Sequence, residues 1–213
     1  MDIKNAIYGR RSVRKYTSRI VSEDILNELV DVARWAPSNC NTQKTRVVLV
    51  KDQKIKQAII DNGGAEIINS SPQGLMFFYD VSSDNIEYKD WIQSAAASIE
   101  NVCLYAYSLG LGTCWVCHLP AKNSLRKIFS LPDNYDPIAY LLVGYPDGDP
   151  DPVPRKYDIA DVWINGERQA HGNIGIKRHL RSCLRKVYYF LPVSFKRLIN
   201  RHIDKQFVKK FKN

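Results

Sequence analysis

The stretch Trp91-Ile-Gln-Ser-Ala-Ala-Ala-Ser-Ile-Glu-Asn-Val-Cys-Leu-Tyr-Ala-Tyr-Ser-Leu109, followed by Gly110-Leu111-Gly112, decides the fold. Its apolar residues recur at steps of three and four, which predicts a helix over 91–109. Because Ala97 and Tyr105 widen the apolar face, we expect this helix at the centre of the fold or in a subunit interface. The two glycines predict its end.

Shorter elements are predicted around this helix. Ser22-Glu23-Asp24 combines a capping hydroxyl with an acidic first turn, so a helix should begin there and end before Pro37. Runs rich in β-branched and aromatic residues predict strands over 47–50, 75–79 and 138–145. Residues 53–60 predict a short helix. The chain therefore mixes helices and strands.

Length and composition exclude several classes of protein. The 213 residues correspond to one domain with an appendage, at roughly 150 residues per domain. A content of 45% hydrophobic residues with only 11 Gly and 10 Pro excludes disordered and collagen-like chains. No apolar run approaches the ~20 residues of a membrane-spanning helix. Five cysteines and no apolar leader favour reduced thiols and a cytoplasmic protein.

The excess positive charge lies in the last 37 residues. Residues 177–213 contain 12 of the 31 Lys and Arg but one of the 22 acidic residues, so they carry +11 and the rest carries −2. Apolar residues recur there at helical spacing, and Pro192 divides the pattern. We expect a compact domain over 1–170 and two basic amphipathic helices in an extension over 171–213.

Three roles are open for this extension. It could pack on the body or on a partner subunit, bind an anionic membrane surface through residues 177–213, or bind nucleic acid. Aromatic residues favour the membrane over nucleic acid, because they suit the headgroup zone. These residues are Tyr188, Tyr189, Phe190, Phe195 and Phe211.

Two polar segments are candidates for binding. The arginine cluster, residues 10–14 (Arg-Arg-Ser-Val-Arg), could clamp an anion, because guanidinium groups match phosphate oxygens; the alternative is a solvated basic turn. The amide loop, residues 37–43 (Pro-Ser-Asn-Cys-Asn-Thr-Gln), could bind the edge of a heteroaromatic ring. Its alternative is a turn that bonds its own backbone.

The motif Cys114-Trp115-Val116-Cys117-His118 has four interpretations. It matches a haem c attachment site, half of a zinc site, a redox dithiol, or a pair of buried structural thiols. The last is favoured, because the segment is apolar and has no export signal or second cysteine pair. The preceding glycines do not form a dinucleotide-binding fingerprint, because they follow a helix and Trp115 replaces the third glycine.

Several catalytic motifs are absent from the sequence. It contains no GxSxG, P-loop or HExxH motif, and His118 is the only histidine in residues 1–170. A triad hydrolase or a histidine-rich metalloenzyme is therefore disfavoured. A cofactor that supplies its own chemistry is favoured, with no catalytic side chain and no metal expected.

Four segments, in this order, resemble the nitroreductase family of FMN-dependent oxidoreductases over residues 3–165. They are the arginine cluster, Ala36-Pro-Ser-x-x-Asn-x-Gln43, the alanine-rich helix leading to Gly110-Leu-Gly-x-x-Trp115, and Val143-Gly-Tyr-Pro146 with a later arginine. The resemblance implies an α+β sandwich in which helices flank a mainly antiparallel sheet. It also implies an intertwined homodimer with FMN at the subunit interface.

The resemblance also implies the cofactor-binding residues. The arginine cluster would bind the FMN phosphate, ribityl chain and pyrimidine edge, and the amide loop would lie along the flavin ring, partly across the dimer. The stretch 114–117 would pass beside flavin N5, and a late basic pair would complete the phosphate site. The residues are Arg10, Arg11, Ser12, Arg14, Asn39, Asn41, Gln43, Trp115, Val116, Cys117, Arg155 and Lys156.

The expected function is hydride transfer from NADH or NADPH, through flavin N5, to an electron-poor acceptor such as a nitroaromatic or a quinone. The alternative is a degenerate flavin-fold binding protein that acts through its basic extension on membrane or nucleic acid. Peripheral attachment to the inner membrane face is compatible with both. The sequence does not identify the physiological acceptor.

Overall fold

One four-stranded antiparallel sheet forms the centre of the computed structural model. The structure describes residues 1–82, 87–150 and 153–163, and residues 180, 183–184, 187–188, 190–199 and 202. The strands are β1 (Thr45–Val50), β2 (Gln73–Asp80), β3 (Gly112–Val116) and β4 (Tyr135–Gly144). Their order is β1-β2-β4-β3, so β1 and β3 are the two edge strands. The predicted strands at 47–50, 75–79 and 138–145 are confirmed, whereas β3 was not predicted.

Six α-helices are defined in the described part of the chain. They are α1 (Ile3–Gly9), α2 (Glu23–Arg34), α3 (Gln53–Asp61), α4 (Asp90–Ser108), α5 (Lys122–Ile128) and α6 (Ile159–Val162). The Ser22 side chain caps α2 by accepting from the Ile25 N–H at 3.5 Å, as the sequence predicts. Short 3₁₀ helices occupy Asn39–Asn41 and Glu66–Ser70.

Helices cover both faces of the sheet because successive strand residues point to opposite sides. Leu75 and Phe77 of β2 pack in one core with α2 and α4, whereas Met76 and Phe78 pack in a second core with α3 and α5. These β2 residues are all at most 1% exposed. The predicted α+β sandwich, with a mainly antiparallel sheet flanked by helices, is confirmed.

Helix α4 is buried by its own chain and not mainly by a partner. Ile99, Val102 and Ala106 are fully buried in the core between α2 and the sheet. Of the two places predicted for this helix, the centre of the fold is the one that the structure shows for these residues. Ile92, two turns before Ile99 on the same side of the helix, is 38% exposed.

The chain divides into two compact units, residues 1–150 with 193–213 and residues 151–192. Residues 193–199 are helical, and so are the described positions between 180 and 190. Much of the predicted pair of amphipathic helices lies outside the described residues. The predicted domain boundary at residue 170 and the homodimer stay predictions.

Candidate cofactor-binding site

The arginine cluster lies alongside the edge strand β3. Ser12 forms a parallel bridge with Thr113, and the Val13 N–H donates to the Thr113 carbonyl at 2.9 Å. Gly112 permits this close approach, because a Cβ atom there would lie 2.7 Å from the Val13 side chain. The structure therefore joins two of the segments that the sequence predicts to bind one cofactor.

The three arginines of the cluster have different surroundings. Arg11 Nη1 donates to the carbonyls of Tyr8 and Arg10 at 2.7 and 2.8 Å, so this side chain satisfies acceptors at the end of α1. Arg10 Nε lies 3.4 Å from Glu100 Oε1 of α4. Glu100 was not among the predicted site residues, although an acid inside an apolar helix pattern is a signal that could have found it.

Arg14 is half-buried and lies beside strand β3. Its Nη1 donates to the Ser12 carbonyl at 3.2 Å. Burial raises the pKa of the Cys114 thiol, and the positive charge of Arg14 offsets part of that rise. Arg14 therefore brings a charge close to the strand that is predicted to pass beside the flavin.

One buried donor in this cluster suits an anionic group. Arg10 Nε is buried and makes no hydrogen bond within the described part of the chain, although Glu100 is close. Buried donors normally have a hydrogen-bond acceptor, so this nitrogen, whose contact is the ion pair with Glu100, suits a phosphate oxygen. The donor set fits the FMN phosphate that the resemblance implies.

Trp115 and Val116 of β3 can contact a cofactor mainly through their backbone. Trp115 is half-buried and packs against the core with α4, and Val116 is 4% exposed in the opposite core. Because β3 is an edge strand, the outer side of its backbone can bond to groups other than a strand. Cys117 follows the strand, and its side chain is exposed.

The cysteines of this motif are not a dithiol pair in this conformation. Three residues of extended chain separate their Cα atoms by roughly 10 Å, beyond the ~7 Å limit for a disulfide. Burial raises the pKa of both thiols, so both are protonated at neutral pH and are weak nucleophiles. Cys114 is buried as expected, but the expectation of a buried Cys117 is wrong, because the strand ends before it.

The amide loop is held by a hydrogen-bond network centred on Asn39. Its Oδ1 accepts from the hydroxyls of Tyr79 and Thr42, both at 2.9 Å, and its Nδ2 donates to Asp90 Oδ2 at 3.2 Å. Its backbone N–H donates to Ser94 Oγ at 3.1 Å. Asn39 thus ties the loop to β2 and α4. These partners were missed by the sequence analysis, because nothing in their spacing links them to the loop.

The outer part of this loop has an unusual backbone. Cys40, Asn41 and Gln43 have φ values of 44°, 55° and 51°, in the left-handed region that side chains rarely adopt. Gln43 Nε2 donates to Asn41 Oδ1 at 2.9 Å, and both side chains are exposed. Such strain persists only where the surroundings enforce it, which is common at functional sites.

The amide loop and the arginine cluster lie at diagonally opposite corners of the sheet. Thr113 of β3 pairs with Val143 of β4. At the other corner, the Asp80 N–H donates to the Lys44 carbonyl, and Asp80 pairs with Tyr135 of β4. Helix α4 connects the two segments, since its Glu100 pairs with Arg10 and its Ser94, six residues earlier, accepts from the Asn39 N–H.

The last two predicted residues lie in the other compact unit. Arg155 and Lys156 are exposed in residues 151–192, and their role in a phosphate site stays a prediction. Two cavities of about 490 and 450 Å³ are lined by residues outside the predicted set. Neither cavity is therefore the predicted cofactor site.

Several known proteins are similar to this chain in sequence or in structure. A model of the nitroreductase family matches residues 7–71 and 57–145. A protein of Methanothermobacter thermautotrophicus, provisionally named an NADH dehydrogenase/NAD(P)H nitroreductase, is 30% identical over 155 residues, 70% of this chain and 80% of its own. The FMN reductase (NAD(P)H) of Bacillus subtilis is 26% identical over 164 residues, 68% of this chain and 66% of its own. The crystal structure of a nitroreductase family protein from Clostridium difficile 630 is 26% identical, with a TM-score of 0.68 over 79% of this chain and 100% of that one.

Proposed function

Because the chain belongs to the nitroreductase family, we propose that it is an FMN-dependent oxidoreductase that uses NADH or NADPH as reductant. Bound FMN would supply the redox chemistry by accepting a hydride at N5 and reducing an electron-poor acceptor, such as a nitroaromatic or a quinone. The names of the relatives support this proposal, since one is an FMN reductase and another an NAD(P)H nitroreductase.

The residues that would hold FMN are those already described. Arg10 and Arg14, with the Ser12 hydroxyl, would bind its phosphate and polar chain, and Arg155 with Lys156 would complete the anion site. The outer backbone of Trp115, Val116 and Cys117 would hydrogen-bond along the flavin. The exposed amides of Asn41 and Gln43 would bind the ring, whereas Asn39 would position their loop.

The diagonal arrangement is the observation that carries the homodimer in this proposal. The arginine cluster lies beside Thr113 of the edge strand β3, whereas the amide loop leads into the other edge strand, β1, of the same chain. Two chains related by a two-fold axis would bring the cluster of each chain to the loop of the other, and would create two equivalent sites. FMN would then bind between the subunits.

The protein's own part in the reaction is binding, orientation and electrostatics. No acid–base side chain is required, and the protonated thiols of Cys114 and Cys117 would not act as nucleophiles. The positive charges of the arginine cluster would stabilise the negative charge of the bound phosphate group. Holding cofactor and reductant in one geometry would supply the remaining rate enhancement.

Absorbance of the purified protein tests the proposal directly. We expect the visible bands of bound flavin, bleaching on anaerobic addition of NADH or NADPH, and recovery when a quinone or nitroaromatic is added. Protein that binds no added FMN would contradict the proposal and favour the degenerate binding protein. If neither nucleotide reduces the bound flavin, the proposal that NADH or NADPH is the reductant is contradicted.

The proposed compartment is the cytoplasm. NAD(P)H is supplied there, and a reducing environment keeps thiols free. All five cysteines are free in the structure, although Cys40, Cys117 and Cys183 are exposed. The protein purified from its native cells without reductant should have five titratable thiols. A native disulfide would contradict the cytoplasmic location.

A further inference from the structure

Seven large apolar side chains are exposed between residues 180 and 198. Exposed apolar side chains in such number on a short segment indicate a surface that is covered in the working state of a protein. Their exposed fractions run from 39% to 90%. They are Leu180, Leu184, Val187, Phe190, Val193, Phe195 and Leu198.

The helix over 193–199 contacts α3 through its charged side. Arg197 forms an ion pair with Asp61, the last residue of α3. Phe195 and Leu198 are three positions apart and share a helix face, whereas Arg197 lies on the other side. They are 60% and 72% exposed. The ion pair therefore turns the apolar face away from α3.

The described positions between 180 and 190 repeat this pattern by themselves. Leu180, Leu184 and Val187 follow helical spacing, and Phe190 is 90% exposed. Cations at 178, 181, 185 and 186 alternate with these apolar residues in the sequence. A basic helix with an exposed apolar face is the usual form of a membrane-surface segment.

The charge of the chain selects among the partners that could cover these residues. Residues 177–213 carry +11, and the rest carries −2. Nucleic acid would need the cations but not the exposed Phe and Leu side chains, and a protein partner would need the apolar residues but not twelve cations. An anionic lipid surface uses both, since headgroups attract Lys and Arg while aromatic residues enter the interface.

We propose that residues 177–213 attach the enzyme to an anionic membrane surface. The apolar faces of the segment enter the headgroup zone, and the surrounding cations contact acidic lipids. Attachment is peripheral, because no helix among the described residues is long and apolar enough to cross a bilayer. None of the predicted FMN-binding residues falls within residues 177–213, so vesicle binding is measured separately from FMN binding.

Co-sedimentation of the full-length protein with vesicles tests this attachment. Vesicles of phosphatidylcholine alone are compared with vesicles that also contain phosphatidylglycerol, at low and high salt. We expect pelleting with the anionic vesicles only, and release by salt. Equal binding to neutral vesicles, or no binding to either, would overturn the proposal.

Two variants separate the apolar and electrostatic parts. Phe195→Ser with Leu198→Ser removes apolar surface without changing charge, and we expect about 10-fold weaker binding to anionic vesicles. Lys205→Gln, Lys209→Gln and Lys210→Gln together remove three cations from the segment, and we expect a similar loss. The thermal unfolding midpoint of each variant should match that of the wild type.

A matched control removes the same charge from the body. Lys4, Lys54 and Lys127 are exposed there, and their joint replacement by Gln changes the net charge as much as the triple variant does. We expect vesicle binding within twofold of the wild type. Equal losses in both triple variants would overturn the proposal in favour of general charge attraction. A changed oligomeric state in the Phe195/Leu198 variant, without vesicle binding by the wild type, would assign the face to a partner subunit.

Discussion

Arg14 and Arg11 differ in what their guanidinium groups contact, although they stand three residues apart. Arg11 bonds two carbonyls at the end of α1, whereas Arg14 faces the β3 region with its charge near Cys114. We expect Arg14→Ala to weaken FMN binding roughly 10- to 100-fold, because a charge-assisted hydrogen bond contributes about 1.5–3 kcal/mol. Flavin fluorescence titration measures the affinity.

Lys127→Ala is the matched control for this variant, because Lys127 is an exposed cation on α5. Its FMN affinity should equal that of the wild type. Arg11→Ala should act mainly on stability, so we expect a lower unfolding midpoint and only a small change in FMN affinity. An Arg14→Ala protein with unchanged affinity would remove Arg14 from the proposed phosphate site.

The buried thiol of Cys103 makes stability depend on alkaline pH. Burial raises its pKa to about 11, against about 8.5 in an unfolded chain. A group with a raised folded pKa contributes fully below the unfolded value and loses its contribution as pH rises towards the folded value. The wild type should therefore lose about 2 kcal/mol from this thiol between pH 8.5 and 10.5.

Cys103→Ala isolates this contribution, because every other titrating group is common to both proteins. At pH 7.5 the variant should be less stable, since a small cavity replaces the sulfur. The difference in the free energy of unfolding between variant and wild type should shrink by about 2 kcal/mol at pH 10.5. At that pH the wild-type thiol is still protonated when folded but ionised when unfolded, which lowers the stability of the wild type only. Urea unfolding at the two pH values measures the difference. A deficit independent of pH would contradict the assignment.

Helix α4 is buried to different degrees along its length. Ile99 is fully buried between α2 and the sheet, whereas Ile92, two turns earlier, is 38% exposed. Ile99→Asp would bury an unpaired carboxylate, and we expect a loss of about 4 kcal/mol or more. Circular dichroism and urea unfolding measure it.

Ile92→Asp serves as the control on the same helix. Its subunit should stay folded, with a change of less than about 1 kcal/mol, because the carboxylate reaches water. If Ile92→Asp unfolds the subunit and Ile99→Asp does not, the burial of α4 described here is wrong.

The elements that the sequence predicted are those with long, regular patterns. Helix α4 and strands β2 and β4 carry continuous apolar positions, which local spacing reveals. Strand β3 has five residues and begins at a glycine, so its pattern is weak, and Cys114 with Cys117 after the strand was interpreted as a possible metal or redox motif instead. Helix α1 buries only Ala6, so its sequence has almost no amphipathic signal.

The order of the strands could not come from local patterns. Pairing of β2 with β4 joins residues 55 to 70 positions apart, such as Leu75 and Leu141. Long-range pairing of this kind depends on the whole fold. The arginine cluster and the amide loop were identified from residue type, but their diagonal separation appeared only with the strand order. The network around Asn39 was equally invisible, since its partners come from β2 and α4.

At the scale of the whole molecule, the shared site predicts complementation between damaged chains. A chain with Arg14→Ala keeps an intact amide loop, and a chain with Asn41→Ala and Gln43→Ala keeps an intact arginine cluster. A heterodimer of the two would contain one site with all changes and one site with none. We expect each variant homodimer to bind little FMN, and the heterodimer to bind about half of the wild-type amount.

Tandem affinity purification with a different tag on each chain isolates that heterodimer, and its flavin absorbance gives the occupancy. A wild-type dimer carrying both tags provides the reference. If the heterodimer binds no more FMN than the variant homodimers, each site is built within a single chain, and the shared arrangement is wrong.

The placement of the arginine cluster and the amide loop at opposite edges of the sheet also makes cofactor loading a function of protein concentration. When each site needs two chains, FMN binds the pair and not the single chain, so FMN and association stabilise each other by mass action. Diluting the protein should release flavin as well as subunits, and added FMN should oppose dissociation. A cell that lowers the amount of this chain would then lose redox capacity more steeply than it loses protein.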